Sequence, residues 1–396
     1  MIAPEDRADH LRQARNLKMA RSAHAYVRGS TVKFYEWLEA SPHAAPEGPP
    51  VWICGDCHVG NLGPLADNKG RVAVQIRDLD QTVIGNPAHD LIRLGLSLAS
   101  AARGSDLPGV ATARILEHLM VGYETAMDGA FDAEGEKALR PDEIKGLLGR
   151  SIQRRWRHLA AERLDTVKPV LPLSKKFWVL TKEERAGLEA LFQEEAVRVL
   201  LTRLQSRDSG DKVELVDAAY WMKGCSSLGR LRFAAMVRIG EGKSASFCLV
   251  DLKEGTAAAA PRDLRAKMPR DNAVRVVTGA QALSPNLGNR MMATRLLDKA
   301  VVLRELMPQD LKLEVDDLSQ QKAGALAAYL AAVVGKAHGR QMSGDERASW
   351  KAELTRARSS RLDAPSWLWS CVVDLMGVHE RAYLEHCRLY ALAEAA

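Results

Sequence analysis

Two short apolar runs, Val51-Trp-Ile53 and Val72-Ala-Val-Gln-Ile76, each end in a polar cluster, and this arrangement constrains the chain more than any other feature. The first run leads into Cys54-Gly-Asp-Cys-His-Val-Gly-Asn61, the second into Arg77-Asp-Leu-Asp80. Short apolar runs bounded by turn residues read as buried strands, so both clusters lie on loops that a rigid scaffold can aim at one point. Between them Asp67-Asn-Lys-Gly70 has the composition of a hairpin turn. Phosphoryl transfer from a nucleotide needs a carboxylate that orients or deprotonates the acceptor hydroxyl. It also needs an Asn/Asp pair to hold Mg²⁺ against the phosphates. Asp56 suits the base, Asn61 and Asp78 the metal ligands, and Asp80 a second ion. His58 stands in the same loop as a catalytic or bracing group.

The same residues admit other readings. Asp56 and Asp78 also fit turn and cap positions. Cys54-Gly-Asp-Cys57-His58 has the spelling of a c-type haem attachment site. That chemistry needs export to an oxidising compartment, and Met1-Ile-Ala-Pro-Glu-Asp-Arg7 shows no basic start running into an apolar stretch. A zinc site on Cys54 and Cys57 needs a second spaced pair, which Cys371, His379, His386 and Cys387 do not supply convincingly.

With 46% hydrophobic and 27% charged residues among 396, the chain can bury a large core and is compositionally neither disordered nor fibrous. No apolar run reaches the roughly 18 residues of a membrane span. The expectation is a cytoplasmic protein without membrane contact, its scattered cysteines free thiols. A net charge of +6 permits nucleic-acid binding without demanding it, and Arg154-Arg-Trp-Arg157 reads as a solvated helical face. Periodicity predicts helix over 8–40, 87–102, nearly all of 106–205, 271–283 and from about 316 onward. Strands are expected at 51–53, 72–76, 215–222, 232–239, 246–252 and 300–305. The implied class is α+β in three portions: 1–205 with the loop and metal carboxylates, 206–310 a small antiparallel-sheet lobe, and 311–396 helices completing the first.

A nucleotide site also needs a glycine-bearing hairpin over the phosphates and a strand lysine, and the helical segment before Asp56 offers neither. Both stand downstream: strand 215–222, Lys223-Gly224-Cys-Ser-Ser-Leu-Gly229, strand 232–239, a turn, and strand 246–252 followed by Lys253. Gly224 and Gly229 let backbone N–H groups approach phosphates, Ser226 and Ser227 add donors, and Lys253 contributes a point charge. Gln281 stands on the helix where a kinase small lobe carries a Glu that pairs with this lysine. Strand 300–305 leads to an adenine hinge from Glu305 to Pro308. A catalytic half followed by a nucleotide lobe is a circular permutation, which close termini tolerate. Arg28, Arg304 and Arg340 are anion ligands or braces of the permuted joint. Gly242-Lys-Ser244 mimics the end of a Walker A loop, but Val237 occupies the place of its first glycine, so it reads as a turn.

The catalytic segment resembles the aminoglycoside phosphotransferase and choline kinase relatives of protein kinases. Their pattern is His-Gly-Asp-x-His-x-x-Asn, a hairpin, Ile-Asp and a downstream Asp-Leu. Here it reads Cys54 to Asn61, Ile76-Arg-Asp78 and Asp90-Leu91, with Cys54 in place of His and Arg77 interposed. The resemblance implies that Asp90 hydrogen-bonds the catalytic-loop backbone. Over nearly its whole length the chain resembles the bacterial domain-of-unknown-function 2252 family. The matching residues are Tyr26-Val-Arg-Gly29, Gly55 to Gly63, Asp78-Leu-Asp-Gln-Thr82, Ser227-Leu-Gly229, Lys253 and Ala337-His-Gly-Arg340. Together these imply a circularly permuted, protein-kinase-like two-lobe fold. They further imply an ATP- and Mg²⁺-dependent phosphotransferase acting on an unidentified small-molecule or protein acceptor. Two alternatives stay open: an AMP-transferring enzyme on the same fold, and a catalytically inactive nucleotide-binding regulator.

Overall fold

The computed structural model describes residues 4–390 except 106, 165–168, 205, 225–228, 243–244, 314–318, 357 and 360–361. Helices α1 (Arg7–Ala20), α2 (Ala23–Gly29) and α3 (Thr31–Ala40) replace the single helix expected over 8–40. Ser22 ends the first run because its side chain accepts the Ala25 N–H and caps α2. The apolar positions keep helical phase across the break, so periodicity alone joins what the cap separates. Strands β1 (Val51–Ile53), β2 (Leu62–Ala66), β3 (Val72–Ile76) and β4 (Val83–Gly85) follow. β1 pairs with β4 and β2 with β3, both antiparallel. The turn at 67–70 therefore closes a β2–β3 hairpin and not a pairing of the two runs that the sequence shows most clearly.

Next come α4 (Ala88–Gly104), α5 (Gly109–Met127), α6 (Ala133–Leu139), α7 (Asp142–Gln153) and α8 (Trp156–Leu164). A short strand β5 (Phe177–Trp178) then interrupts the expected helical stretch, after Pro169 and Pro172, which withhold the backbone donors a helix interior needs. Helices α9 (Lys182–Leu191) and α10 (Glu195–Thr202) lead to β6 (Val213–Trp221), β7 (Arg232–Ile239), β8 (Ser246–Glu254), α11 (Asn272–Leu283), α12 (Pro285–Gly288), β9 (Met291–Leu296) and β10 (Lys299–Leu306). Strands β5 to β10 form one antiparallel sheet in the order β5-β6-β7-β8-β10-β9. β9 had no signal in the sequence. Its two-residue turn to β10 uses Leu297 at φ 51° and Asp298 at φ 60°, a backbone normally marked by glycine or asparagine. The chain closes with α13 (Gln320–Gly339), α14 (Gly344–Thr355), β11 (Arg358–Ser359), β12 (Leu362–Pro365) and α15 (Ser366–Tyr390). The class is α+β, with antiparallel sheets. Among the described residues no helix is long and apolar enough to cross a membrane.

Each face of the six-stranded sheet has its own cover. One face buries Tyr220, Phe233, Val237, Val250 and Leu303 against Leu188, Val197 and Leu201 of α9 and α10, and against Leu11 of α1. The sheet thus draws on chain well before residue 206. The other face buries Ala234, Met236 and Leu249 against Leu159, Ala160 and Leu164 of α8. At its far end this second face turns polar, with Arg232, Asp251, Lys253 and Arg304, which cross-strand pairing sets side by side.

The largest core packs α4, α5, α13 and α15 around the two hairpin-like pairs. α5 and α13 approach closely because Gly122 is bare: a Cβ there would lie 1.9 Å from the carbonyl oxygen of Ala328. Backbone cannot yield as a flexible side chain does, so Gly122→Ala should destabilise the protein by about 1–3 kcal/mol or more. Urea denaturation checks this; an unchanged midpoint would show that the helices separate freely.

Candidate active site

The loop from Cys54 to Asn61 is positioned by one helix. α4 carries Asp90, Arg93 and Ser97, which at spacings of three and four share a face and are all fully buried. The Asp90 carboxylate accepts the Cys54 N–H at 2.7 Å and the Gly55 N–H at 3.0 Å, the role the kinase resemblance implies for it. Arg93 Nε donates to Asp56 Oδ1 at 2.9 Å, and the Ser97 hydroxyl accepts the Val59 N–H at 3.2 Å. Tyr35 Oη donates to the Gly55 carbonyl. Gly55 itself takes φ 73° and passes so near Gln81 that a Cβ would lie 2.2 Å from its carbonyl oxygen, so no other residue fits there. From the late part of the chain, His338 Nε2 lies 3.2 Å from Asp90 Oδ2. Its Nδ1 lies 3.0 Å from Tyr123 Oη, and that hydroxyl accepts from Trp350 Nε1.

Burial pushes Asp56 above the ordinary carboxylate range despite the opposing charge of Arg93. Asn61 Nδ2 donates to the Asp56 carbonyl at 3.0 Å, which leaves its amide oxygen as the acceptor. His58 lies 3.9 Å from Asp56. Burial, with Arg28 and Arg93 nearby, pushes it well below its ordinary value, so its imidazole is neutral. Cys54 and Cys57 are completely buried, which hides both thiols from a haem edge. With Asp90 they form a tight three-atom group, but the Asp90 oxygens already serve two amides and a histidine, and burial pushes the Cys54 thiol well up.

The second carboxylate cluster faces the sheet. Lys253 Nζ contacts Asp80 Oδ2 and lies 3.7 Å from Asp78 Oδ1. Burial opposes ionisation of Asp78, but Lys253, Arg304 and Arg232 outweigh it and hold the carboxyl well below the usual range. Asp80 is pushed up by burial and by the charge of Asp78. Behind them lies Asp251, 1% exposed. It takes Arg232 at 2.8 and 2.5 Å, Arg304 at 3.3 Å and Lys223 at 3.9 Å. These cations hold Asp251 far down although burial opposes them, and burial depresses Lys223 well below the usual lysine value.

Asp56, His58, Asn61 and Asp78 line one wall of a cleft of about 690 Å³; Lys223, Gly224, Arg232 and Arg304 line another. Ten basic and four acidic side chains face it, and Leu159, Trp221, Met222, Leu306 and Met307 make one part apolar. α1 ties across it, Lys18 Nζ donating to the Gly224 carbonyl at 2.8 Å. Residues about 170 positions apart in sequence thus share one cavity.

A family model described as an uncharacterized protein conserved in bacteria, DUF2252, matches residues 7–389. The chain belongs to the DUF2252 family. No curated protein and no solved structure matches it.

Not every expected site residue of this DUF2252 protein reaches the cleft. Lys253 and Asp80 line a small cavity behind Asp78 and not the main cleft. Gln281 is exposed on α11, and Lys253 pairs with Asp80 and Asp78 where the sequence suggested Gln281. Two α11 residues reach this region: Val276 lines the same small cavity, and the Arg275 guanidinium donates to the carbonyls of Asp80, Thr82 and Thr256. Glu305 is buried, and its carboxylate takes Arg207 through two bonds of 2.7 Å, so its side chain is not a nucleotide ligand. Arg154, read as part of a solvated face, donates to the Pro308 carbonyl at 2.6 Å. Arg340 is exposed, and among the described residues its side chain bonds only the Lys336 carbonyl of its own helix. Gly224 and Gly229 take φ 103° and 98°; Ser226 and Ser227 between them lie outside the described residues, as do Lys243 and Ser244. Arg93, Lys223, Arg232, Asp251 and Arg275 belong to the site without having been singled out for it. Arg93 had a readable signal, being a charge inside the apolar run 87–102. Arg232 and Asp251 were visible only through cross-strand pairing, and Lys223 and Arg275 only through the tertiary packing of the turn and of α11.

Proposed function

We propose that this chain is an ATP- and Mg²⁺-dependent phosphotransferase with a circularly permuted, protein-kinase-like two-lobe fold. The observation that carries the reading is the meeting of Asp56, Asn61 and Asp78 with Lys223, Gly224 and Arg304 in one cationic cleft. The donors fit a hard cation. Asn61 and Asp78 offer oxygen atoms alone, and an ammonium group already rests against the Asp78–Asp80 pair. Asn61 and Asp78 would hold Mg²⁺, with Asp80 and its partner Lys253 behind them. Bound there, it supplies neutralisation of charge on the β- and γ-phosphates.

The chain's own groups do the rest. The basic wall receives the triphosphate, and the Gly224 turn allows close backbone approach. The apolar part of the cleft takes the base. Asp56, its pKa raised by burial and its orientation fixed by Arg93, accepts the proton of the acceptor hydroxyl. The hydroxyl oxygen then bonds to the γ-phosphorus while the bond from that phosphorus to the β,γ-bridging oxygen breaks, releasing ADP. Arg304 and Lys223 stand near the developing charge.

Nucleotide-dependent thermal stabilisation tests this directly. ATP or ADP at millimolar concentration should raise the melting temperature, and more so with Mg²⁺; saturation at about 100 times Kd corresponds to about 2.7 kcal/mol. No shift with either nucleotide would overturn the reading. Stabilisation without turnover across a broad acceptor screen would favour the inactive regulator. A product heavier by an adenylyl group would move the reading to AMP transfer.

A further inference from the structure

The proposed nucleotide would occupy the side of the cleft lined by Lys223, Arg232 and Arg304, and the opposite side holds Arg28. Arg28, on α2, lies against the Asp56 wall with its guanidinium over Gly60: a Cβ on that glycine would come within 3.0 Å of Nη2 and 3.1 Å of Cζ. It lines the cleft, its Nε is buried with no hydrogen-bond partner, and no ion pair of this guanidinium is found among the described residues. A planar five-donor group in this state is prepared for a bidentate anion. His58, 4% exposed on the same wall, also leaves its Nδ1 unpartnered. Buried polar atoms of this kind normally find a partner. On the proposed reading the nucleotide phosphates would face Lys223, Arg232 and Arg304 on the other wall, which leaves Arg28 for a different anionic group.

We propose that the acceptor is an anionic small molecule, a phosphate monoester or a carboxylate, whose charged group is seated on Arg28 so that a hydroxyl of the same molecule reaches Asp56. This rests on the phosphotransferase reading. Arg28 sets which acceptors bind. A neutral polyol would leave its half-buried guanidinium, with the buried Nε, unsatisfied, a discrimination that lost hydrogen bonds make large.

The test keeps the two readings apart. Full-length protein is first saturated with Mg²⁺ and a non-hydrolysable ATP analogue, and the melting temperature records whether nucleotide binds. Glycerol, glycerate and glycerol 3-phosphate are then titrated at matched ionic strength. One or both anions should stabilise saturably where glycerol does not, and the tighter of the two identifies the anionic group. Arg28→Gln should weaken that response by about tenfold or more, while Arg28→Lys, which keeps the charge and loses the fork, should fall between. No response to the nucleotide analogue overturns both readings. A nucleotide response with no saturable anion response overturns this one alone. So does an anion response that Arg28→Gln leaves intact, or a folded Arg28→Gln protein that no longer responds to nucleotide, since Arg28 would then belong to the triphosphate.

Discussion

Asp78→Asn should abolish the magnesium dependence of nucleotide stabilisation and lower kcat by about 10³-fold or more, corresponding to several kcal/mol of lost charge stabilisation in the transition state. Asp78 is the carboxylate best placed for this role. It lines the cleft, its side chain is 46% exposed, and Lys253, Arg304 and Arg232 hold it ionised at any ordinary pH. Asparagine keeps its shape while removing the charge. The unliganded protein should tolerate the change, because Lys253 retains its contact with Asp80, and Asp80 ionises more readily once its acidic neighbour is gone. Two measurements check this: melting curves with ATP in the presence and absence of Mg²⁺, and ADP release with a turned-over acceptor. A variant that keeps the full magnesium-dependent shift would remove Asp78 from the metal site.

The second large effect concerns stability. Asp251→Asn should cost about 3–5 kcal/mol at pH 7, the range for removing one partner from a buried ionic cluster. Arg232, Arg304 and Lys223 would be left facing one another without the carboxylate that holds all three. Neutralising a second member, as in Asp251→Asn with Arg232→Met, should recover part of the loss. The pH dependence has a definite sign. Asp251 and Asp78 both have folded-state pKa values below the unfolded value of about 3.9. Their contribution is therefore fully present above that pH and is lost as pH falls towards the lower folded values. The urea midpoint of the wild-type protein should drop on acidification below about pH 4, while that of Asp251→Asn starts lower and drops less. Equal midpoints at pH 7 would mean that the cluster is neutral to stability.

The sequence was most legible where chemistry demands particular residue types at fixed spacing. Asp56, His58, Asn61 and Asp78 lie along one wall of the cleft, and Asp90 meets the loop backbone. Each stands within a few residues of a strand end or on a helix of clear period, so local pattern and tertiary position agree. Longer-range partners were harder to read. Gln281 was chosen by helix position alone, yet the α11 side chain that hydrogen-bonds in the carboxylate region is Arg275, set by which face α11 buries. Glu305 stood at the expected hinge, but its fate depends on Arg207, which no spacing rule links to it. Asp251 sits two residues before Lys253 and so shares its face, but that clue has meaning only once Arg232 and Arg304 are known to flank it. In the fold, the breaks at Ser22 and at Leu297-Asp298 were hidden for opposite reasons: one lies inside an unbroken apolar phase, the other uses residues that rarely turn.

The bond between His338 and Asp90 spans 248 positions, and its effect is on when the loop can become competent. Local helices and hairpins form early, whereas contacts of long sequence separation wait for the chain between them to be ordered. During synthesis, Asp56 and Asn61 leave the ribosome long before the sheet that carries Asp251 and Lys253, and longer still before His338. A nascent or prematurely terminated chain holds this loop without Lys253, the Gly224 turn or the buried His338 brace. On the phosphotransferase proposed above, the loop bearing Asp56 and Asn61 would therefore become competent only after the segment that carries His338 has been made and has packed onto Asp90.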